Sequence, residues 1–246
     1  MSETALICGK EYIIEETEKI SLYYSSITEG DIDEIGRLVD LKFLDIVPSN
    51  QIVDITPLGS LKNLTVLKLC NAKLSDISPI ADLAGLKILH LHSNKLGDIT
   101  SLERLINLED LHLGINRITD ISPIAALKNL RSLILSNNQI SDITPLENLN
   151  DLTVLGLDKN LINDIAPLAG KTALERLDLA DNQITDTSPL ADLVNISRLG
   201  IQNNPIESIS PLGNLKKLSY LWINKKTVSE DDMIWLETSL PGCFIR

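Results

Sequence analysis

A fixed interval of 22 residues governs this chain. It is written most plainly as Leu127-x-x-Leu130-x-x-Leu133-x-Leu135-x-x-Asn138-x-Ile140-x-Asp142-Ile143-x-Pro145-Leu146. Steps of 22 from Leu133 meet Leu111, Leu89 and Leu67 behind it and Leu155, Leu177, Leu199 and Leu221 ahead, without a gap. A period of this size means stacked, nearly identical coils. One coil cannot bury its own apolar side, so each must lie on the next, and the Leu-x-Leu segments are predicted to line up as a continuous parallel sheet.

The Leu-x-Leu-x-x-Asn core is that of a leucine-rich repeat, an α/β solenoid. The length of 246 residues would allow two domains, but the unbroken period predicts a single elongated one over 1–246. Residues 1–37 are expected to form an N-terminal cap with a degenerate repeat, 38–226 the repeats, and 227–246 a C-terminal cap of helix and strand. Aromatic residues make up only 3%, so Leu and Ile must fill the interior.

A net charge of -12 argues against nucleic acid or an anionic membrane as partner, since both reward a basic patch. Cys8, Cys70 and Cys243 are odd in number and lack C-x-x-C spacing, which reads as reduced thiols. The start, Met1 to Lys10, has no basic region, and its apolar run Ala5 to Cys8 is short for a signal peptide or a membrane span. The expectation is a monomer without membrane insertion in the cytoplasm. A trimmed export signal would leave a secreted or surface location open.

Ala5 to Leu38 departs from the period, as a capping segment should. Tyr12-Ile13-Ile14 is expected as an opening strand, Ile20-Ser21-Leu22 as a degenerate coil, and Asp31 to Leu38 as a short helix. The first full coil, from Leu38, is one residue longer than the rest, and Pro48 is expected in the resulting bulge. Later coils carry single exceptions: Ser101 for the proline, Lys171 for a leucine, Thr187 for the isoleucine and Ser208 for the aspartate. Past the repeats, Ser229 is expected to cap a helix whose Met233, Leu236 and Leu240 cover the last coil. Pro241-Gly242 should stop that helix, and Cys243-Phe244-Ile245 should add a closing strand.

Two polar columns accompany the leucines. Asn94, Asn116, Asn138, Asn160, Asn182 and Asn204 fall where the chain leaves the strand, and an amide there can bridge neighbouring coils; Ala72 breaks the column once. Asp54, Asp76, Asp98, Asp120, Asp142, Asp164 and Asp186 each precede a short turn whose free N–H groups a carboxylate can accept. A calcium reading of the aspartates has no Gly-rich calcium pattern beside it.

The repeat with Asn138, Asp142-Ile143 and Pro145-Leu146, copied across Leu38 to Leu215, resembles the internalin-like 22-residue class of bacterial leucine-rich repeats. Related short repeats occur in the phosphatase-regulating class, which keeps a regulatory subunit of an enzyme such as a phosphatase as an alternative. The resemblance implies a right-handed curved solenoid, with a concave parallel β-sheet and short 3-10 or irregular turns on the convex side, that binds proteins. The signal peptide, immunoglobulin-like domain and surface anchor of exported internalins are not visible in this sequence, so surface display does not carry over.

Inward leucines leave the residues before, between and after them facing outward, in three columns. These columns vary while the inward ones hardly change, which is the pattern of a recognition surface on a scaffold. The residues expected to meet another protein are Ile88, His90, His92, Asp110, His112, Ile134, Val154, Asp158, Arg176, Asp178, Arg198, Gln202, Tyr220 and Trp222. Arg, Tyr and Trp are frequent interface anchors. The plainer reading is that Tyr220 and Trp222 cover the last coil while Arg176 pairs with Asp178 or Asp158.

All three histidines lie in the outward columns. His90, His92, His112 and Cys70 therefore offer an alternative function, a metal or small-ligand site, with zinc as the test ion. The plainer reading is histidine as a tolerated surface residue. There is no phosphate loop and no nucleophile motif, so neither an enzyme nor a cofactor is expected.

Overall fold

The computed structural model describes residues 3–23, 26–48, 52–224 and 228–246. It falls into two compact units, 1–129 and 130–246.

The first unit opens with an antiparallel hairpin of β1 (Thr4–Ile7) and β2 (Lys10–Ile13). Cys8 and Gly9 turn it with φ of 50° and 78°, the two left-handed residues a tight hairpin turn needs. The sequence reading placed a strand near Tyr12 but did not foresee its partner, whose apolar run is short. β3 (Lys19–Tyr23) then lies parallel to β4 (Phe43–Val47) with Ile20 opposite Leu44, as the degenerate coil requires. Between them runs α1 (Glu29–Gly36), with Ile32 and Ile35 buried.

Thr28 caps α1 by accepting from the Asp31 N–H, and the Asp31 carboxylate returns the bond to the Thr28 N–H at 2.8 Å. The same carboxylate accepts from the Cys8 N–H at 2.6 Å, which ties the hairpin turn to the helix. Burial pushes the Asp31 carboxyl up, but these bonds outweigh it and hold the group below the usual range. Gly36 has no room for a side chain, because a Cβ there would stand 2.7 Å from Pro57.

The 22-residue register then sets β5 (Val66–Leu69), β6 (Ile88–His90) and β7 (Asp110–His112) parallel, with Leu44, Leu67, Leu89 and Leu111 in one row. The Val47–Pro48 bond is cis. The bulge expected there continues into residues 49–51, outside the described ones.

The second unit repeats the scheme with β8 (Ser132–Ile134), β9 (Val154–Gly156), β10 (Arg176–Asp178), β11 (Arg198–Gly200) and β12 (Tyr220–Trp222), all parallel and in register. Ser229 caps α2 (Glu230–Ser239) by accepting from the Asp232 N–H at 3.1 Å. Leu236 and Leu240 are buried as expected, while Met233 is only half-covered. β13 (Phe244–Ile245) closes the row beside β12. The expected end of the repeats at 226 lies outside the described residues.

Each coil buries the same set. In the first unit Leu83, Leu86, Leu89, Leu91, Leu96, Ile99 and Leu102 are inside; in the second, Leu149, Leu152, Leu155, Leu157, Ile162, Ile165 and Leu168. At about 1.5–3 kcal/mol for each buried aliphatic side chain, this repeated set holds each stack together. Lys171 stands at a leucine position and is itself buried, its ammonium donating to the carbonyls of Glu147 at 3.0 Å and Leu149 at 3.2 Å. The stem fills the slot and the charge meets oxygen.

The polar columns do the work their spacing predicts. Asn182 donates to the carbonyls of Leu157, Leu179 and Ala180 and accepts from the Ile162 N–H at 3.0 Å, bridging two coils. Asn116 does the same in the first unit, taking Leu91 and Leu113 and accepting from Leu96. Where Ala72 breaks the column, the Leu69 carbonyl is taken by Asn94 at 2.9 Å.

The aspartates accept the N–H two residues ahead, as Asp98 does from Thr100 and Asp186 from Ser188, both at 2.8 Å. They act one residue earlier than a helix cap, closing an Asx turn in front of each 3-10 turn, whose N-cap is an isoleucine or threonine.

Candidate functional site

In the first unit the outward face carries a compact polar cluster. Asp110 and His112 sit two apart on β7, and His90 is opposite His112 on β6. The two imidazole rings stack with centroids 4.0 Å apart and planes within 3°. Both Nε2 atoms lie close to one carboxylate, His90 at 3.1 Å in a hydrogen bond and His112 at 3.0 Å, each beside a separate Asp110 oxygen. Ile88, opposite Asp110 and half-buried, flanks the cluster.

His92 and Cys70, expected beside these histidines, do not join them. Cys70 is only 2% exposed, and its thiol donates to the His90 carbonyl at 3.5 Å. Burial pushes that thiol up to about 11. Burial first, then His90 and His112, push His92 below the ordinary imidazole value. The third column is outward only in part: Cys70, Gly114 and Ala180 are buried, while His92, Ser136, Asp158, Gln202 and Asn224 are half-buried. Most strands here last only three residues, and a left-handed residue follows this column at Asn71, Ser93, Ile115, Asn137, Lys159, Asp181 and Asn203, where the chain turns out of the strand.

In the second unit the outward face has a hollow of about 190 Å³. Leu155 and Leu177 floor it, Ile134 and Val154 form its apolar wall, and Arg176, Asp178, Arg198 and Trp222 surround it. Arg176 and Arg198 are neighbours in register, as are Val154 and Arg176. The hollow exists because Gly156 and Gly200 carry no side chain. A Cβ on Gly156 would stand 3.0 Å from Ile134, and one on Gly200 would stand 2.6 Å from an Asp178 oxygen. Both glycines were in view as outward positions, but the sequence reading weighed the side chains present and missed the space that their absence makes.

Around the hollow the arginines are not consumed by acids. Among the described residues neither Arg176 nor Arg198 has an ion pair within 4 Å, and the pairing of Arg176 with Asp178 or Asp158 does not form. Arg198 instead lies 5.4 Å from the centre of the Tyr220 ring, a cation–π arrangement. Tyr220 stacks on Trp222 at 5.9 Å and tilts against Phe244 at 6.2 Å. The half-buried Asp158 is held by the Ser136 hydroxyl, and neither it nor the half-buried Gln202 lines the hollow. Desolvation by the sheet pushes Asp178 above the usual carboxylate range, and Asp158 and Asp181 add to the effect.

The description "Leucine Rich repeats (2 copies)" matches residues 39–82, 84–126, 128–170 and 172–212, well over half of the chain. An internalin C2 structure from Listeria monocytogenes is 37% identical, with a TM-score of 0.63, over 84% of this chain and 80% of that one. The chain belongs to the internalin-like leucine-rich-repeat family. Another internalin of the same organism, InlF, is 28% identical with a TM-score of 0.78, over 96% of this chain and 83% of that one. The plant peptide hormone receptor RGFR1, solved in complex with RGF2, is 23% identical with a TM-score of 0.66, over 78% of this chain and 37% of that one, and shows the fold alone. No match was found among curated protein sequences. Among the described residues of this internalin-like protein, no helix is long and apolar enough to cross a membrane.

Proposed function

We propose that this internalin-like protein is a non-catalytic binding module, and that the hollow between Arg176, Arg198 and Trp222 receives a side chain of a partner protein. The observation that carries the reading is the coincidence of an apolar floor with two arginines free of ion pairs among the described residues. An apolar or aromatic side chain would fill the hollow, and an acidic group beside it would meet the guanidinium forks. Related leucine-rich-repeat folds also serve recognition, RGFR1 in complex with RGF2 being one.

The test is capture of partners by the full chain, compared with a variant carrying Arg198→Ala, Tyr220→Ala and Trp222→Ala. Capture is expected to be lost while the thermal melt stays close to that of the parent. Capture by a folded triple variant at the parent's level would refute the site.

A further inference from the structure

The polar cluster of the first unit plays no part in that reading, and its geometry points to a site of its own: His90, Asp110 and His112 form a binding site for a divalent transition metal ion, with zinc the best match. The donor set is two imidazoles and one carboxylate, the ligands zinc takes where it keeps one position open. The three candidate ligand atoms lie within 4.8 Å of one another.

Tetrahedral zinc with bonds near 2.0–2.1 Å needs its ligand atoms about 3.3 Å apart. The nitrogen-to-oxygen distances, 3.1 Å for His90 and 3.0 Å for His112, approach that edge, but each runs to a different Asp110 oxygen. The rings stack with centroids 4.0 Å apart and planes within 3°, so holding one ion requires both imidazoles to rotate out of the stack until their Nε2 lone pairs converge with one Asp110 oxygen. The sheet pre-sets most of the arrangement, because Asp110 and His112 share one side of β7 and His90 is the lateral neighbour of His112.

The side chains are 14%, 29% and 30% exposed for His90, Asp110 and His112, so the fourth position opens to solvent or to a ligand atom from a partner. One charge opposes a cation here: Lys68, in register with His90 on β5. Asp45, in register with Lys68 on β4, offsets it. Cys70 is excluded by its burial and His92 by its position outside the cluster, which distinguishes this triad from a simple collection of soft ligands.

The test titrates zinc into the chelator-stripped full chain by calorimetry and repeats the visible spectrum with cobalt. One ion is expected to bind at micromolar affinity or tighter, raising the melting temperature, and cobalt should give tetrahedral d–d bands without thiolate charge transfer. The paired variant His90→Gln and His112→Gln, and separately Asp110→Asn, should weaken zinc binding at least tenfold while melting like the metal-free parent. Cys70→Ser should bind as the parent does. The site is overturned by a lack of saturable binding to the parent, by binding that survives in the paired histidine variant, or by a cobalt spectrum with thiolate bands. If the paired variant fails to fold, Asp110→Asn decides: binding unchanged in that variant overturns the site.

Discussion

The outward positions of β5 to β7 and those of β9 to β12 ride on the same register, yet they present opposite surfaces. In the first stretch Lys68, His90 and His112 take the between positions and Asp110 a before position, and the last three lie within reach of one another. In the second, Gly156 and Gly200 alternate with Asp178 and Trp222, and the face sinks to the floor leucines. The inward residues of the two stretches are nearly interchangeable. The chemistry that differs between the two stretches therefore lies in a layer that the scaffold tolerates without selecting, and either surface should be alterable without cost to the other.

The sharpest way to break that contrast is to fill the hollow. The double variant Gly156→Leu and Gly200→Leu should reduce partner capture at least about a hundredfold, as expected when a central anchor pocket is lost. Lys68→Ala on the other stretch should leave capture within about twofold, because Lys68 does not line the hollow. Equal losses measured by surface plasmon resonance would mean that both stretches serve one surface.

A second comparison sets the outward layer against the turn accounting beneath it. Asn182→Ala should cost about 3 kcal/mol in urea unfolding, since the Ile162 N–H loses its side-chain acceptor and the Leu157, Leu179 and Ala180 carbonyls each lose a donor. Asn116→Ala should cost a similar amount in the first unit. A loss no greater than that of Lys68→Ala would show the ladder to be dispensable.

The left-handed residue in front of each ladder position offers a gain instead of a loss. Asn71, Ser93, Asn137, Asp181 and Asn203 suit φ near 56°, but Ile115 holds φ 56° with a β-branched, exposed side chain. Ile115→Asn should raise stability by roughly 1 kcal/mol in the same assay.

The smallest effect is in acid. Hydroxyl and backbone N–H bonds hold the carboxyls of Asp54, Asp98, Asp142 and Asp186 below their ordinary value. Depressed folded values mean that their contribution is present above the unfolded value of about 3.9 and is lost as the pH falls through the folded ones. Melting temperature should therefore decline below about pH 4, and Asp98→Asn with Asp186→Asn should flatten that decline. An unchanged slope would assign the acid loss to other groups.

The repeat was legible because a period of 22 leaves no freedom in which residues stack. Strand positions and the asparagine column followed from it, while the aspartates, read as caps, close Asx turns instead. The β1–β2 hairpin did not, since four residues of alternating burial carry little signal and the decisive clue was Cys8-Gly9. A second asparagine column also went unread. Asn63, Asn107, Asn129 and Asn195 donate to the carbonyls of Val39, Ala84, Ile106 and Thr172 one coil back. At the candidate sites, the lateral pairing of His90 with His112 was readable from register. The withdrawal of Cys70 was not, because it depends on where the strand ends.

The asparagine ladder also explains where this protein can change its length. Each rung reaches back 25 and 20 residues, as Asn182 does to Leu157 and Ile162, so it measures the coil behind it. A gene can add or delete whole repeats of 22 without stranding a donor, whereas an insertion of any other size puts the wrong residues within reach of the amide. The same measure applied to position 72 would land on Val47 and Ile52, both inside the coil from Leu38 that is a residue too long. Position 72 is also where the ladder has an alanine. The irregular coil survives at the rung that has stopped measuring, and copying errors that are not multiples of the repeat should be tolerated in such a lineage only beside a missing rung.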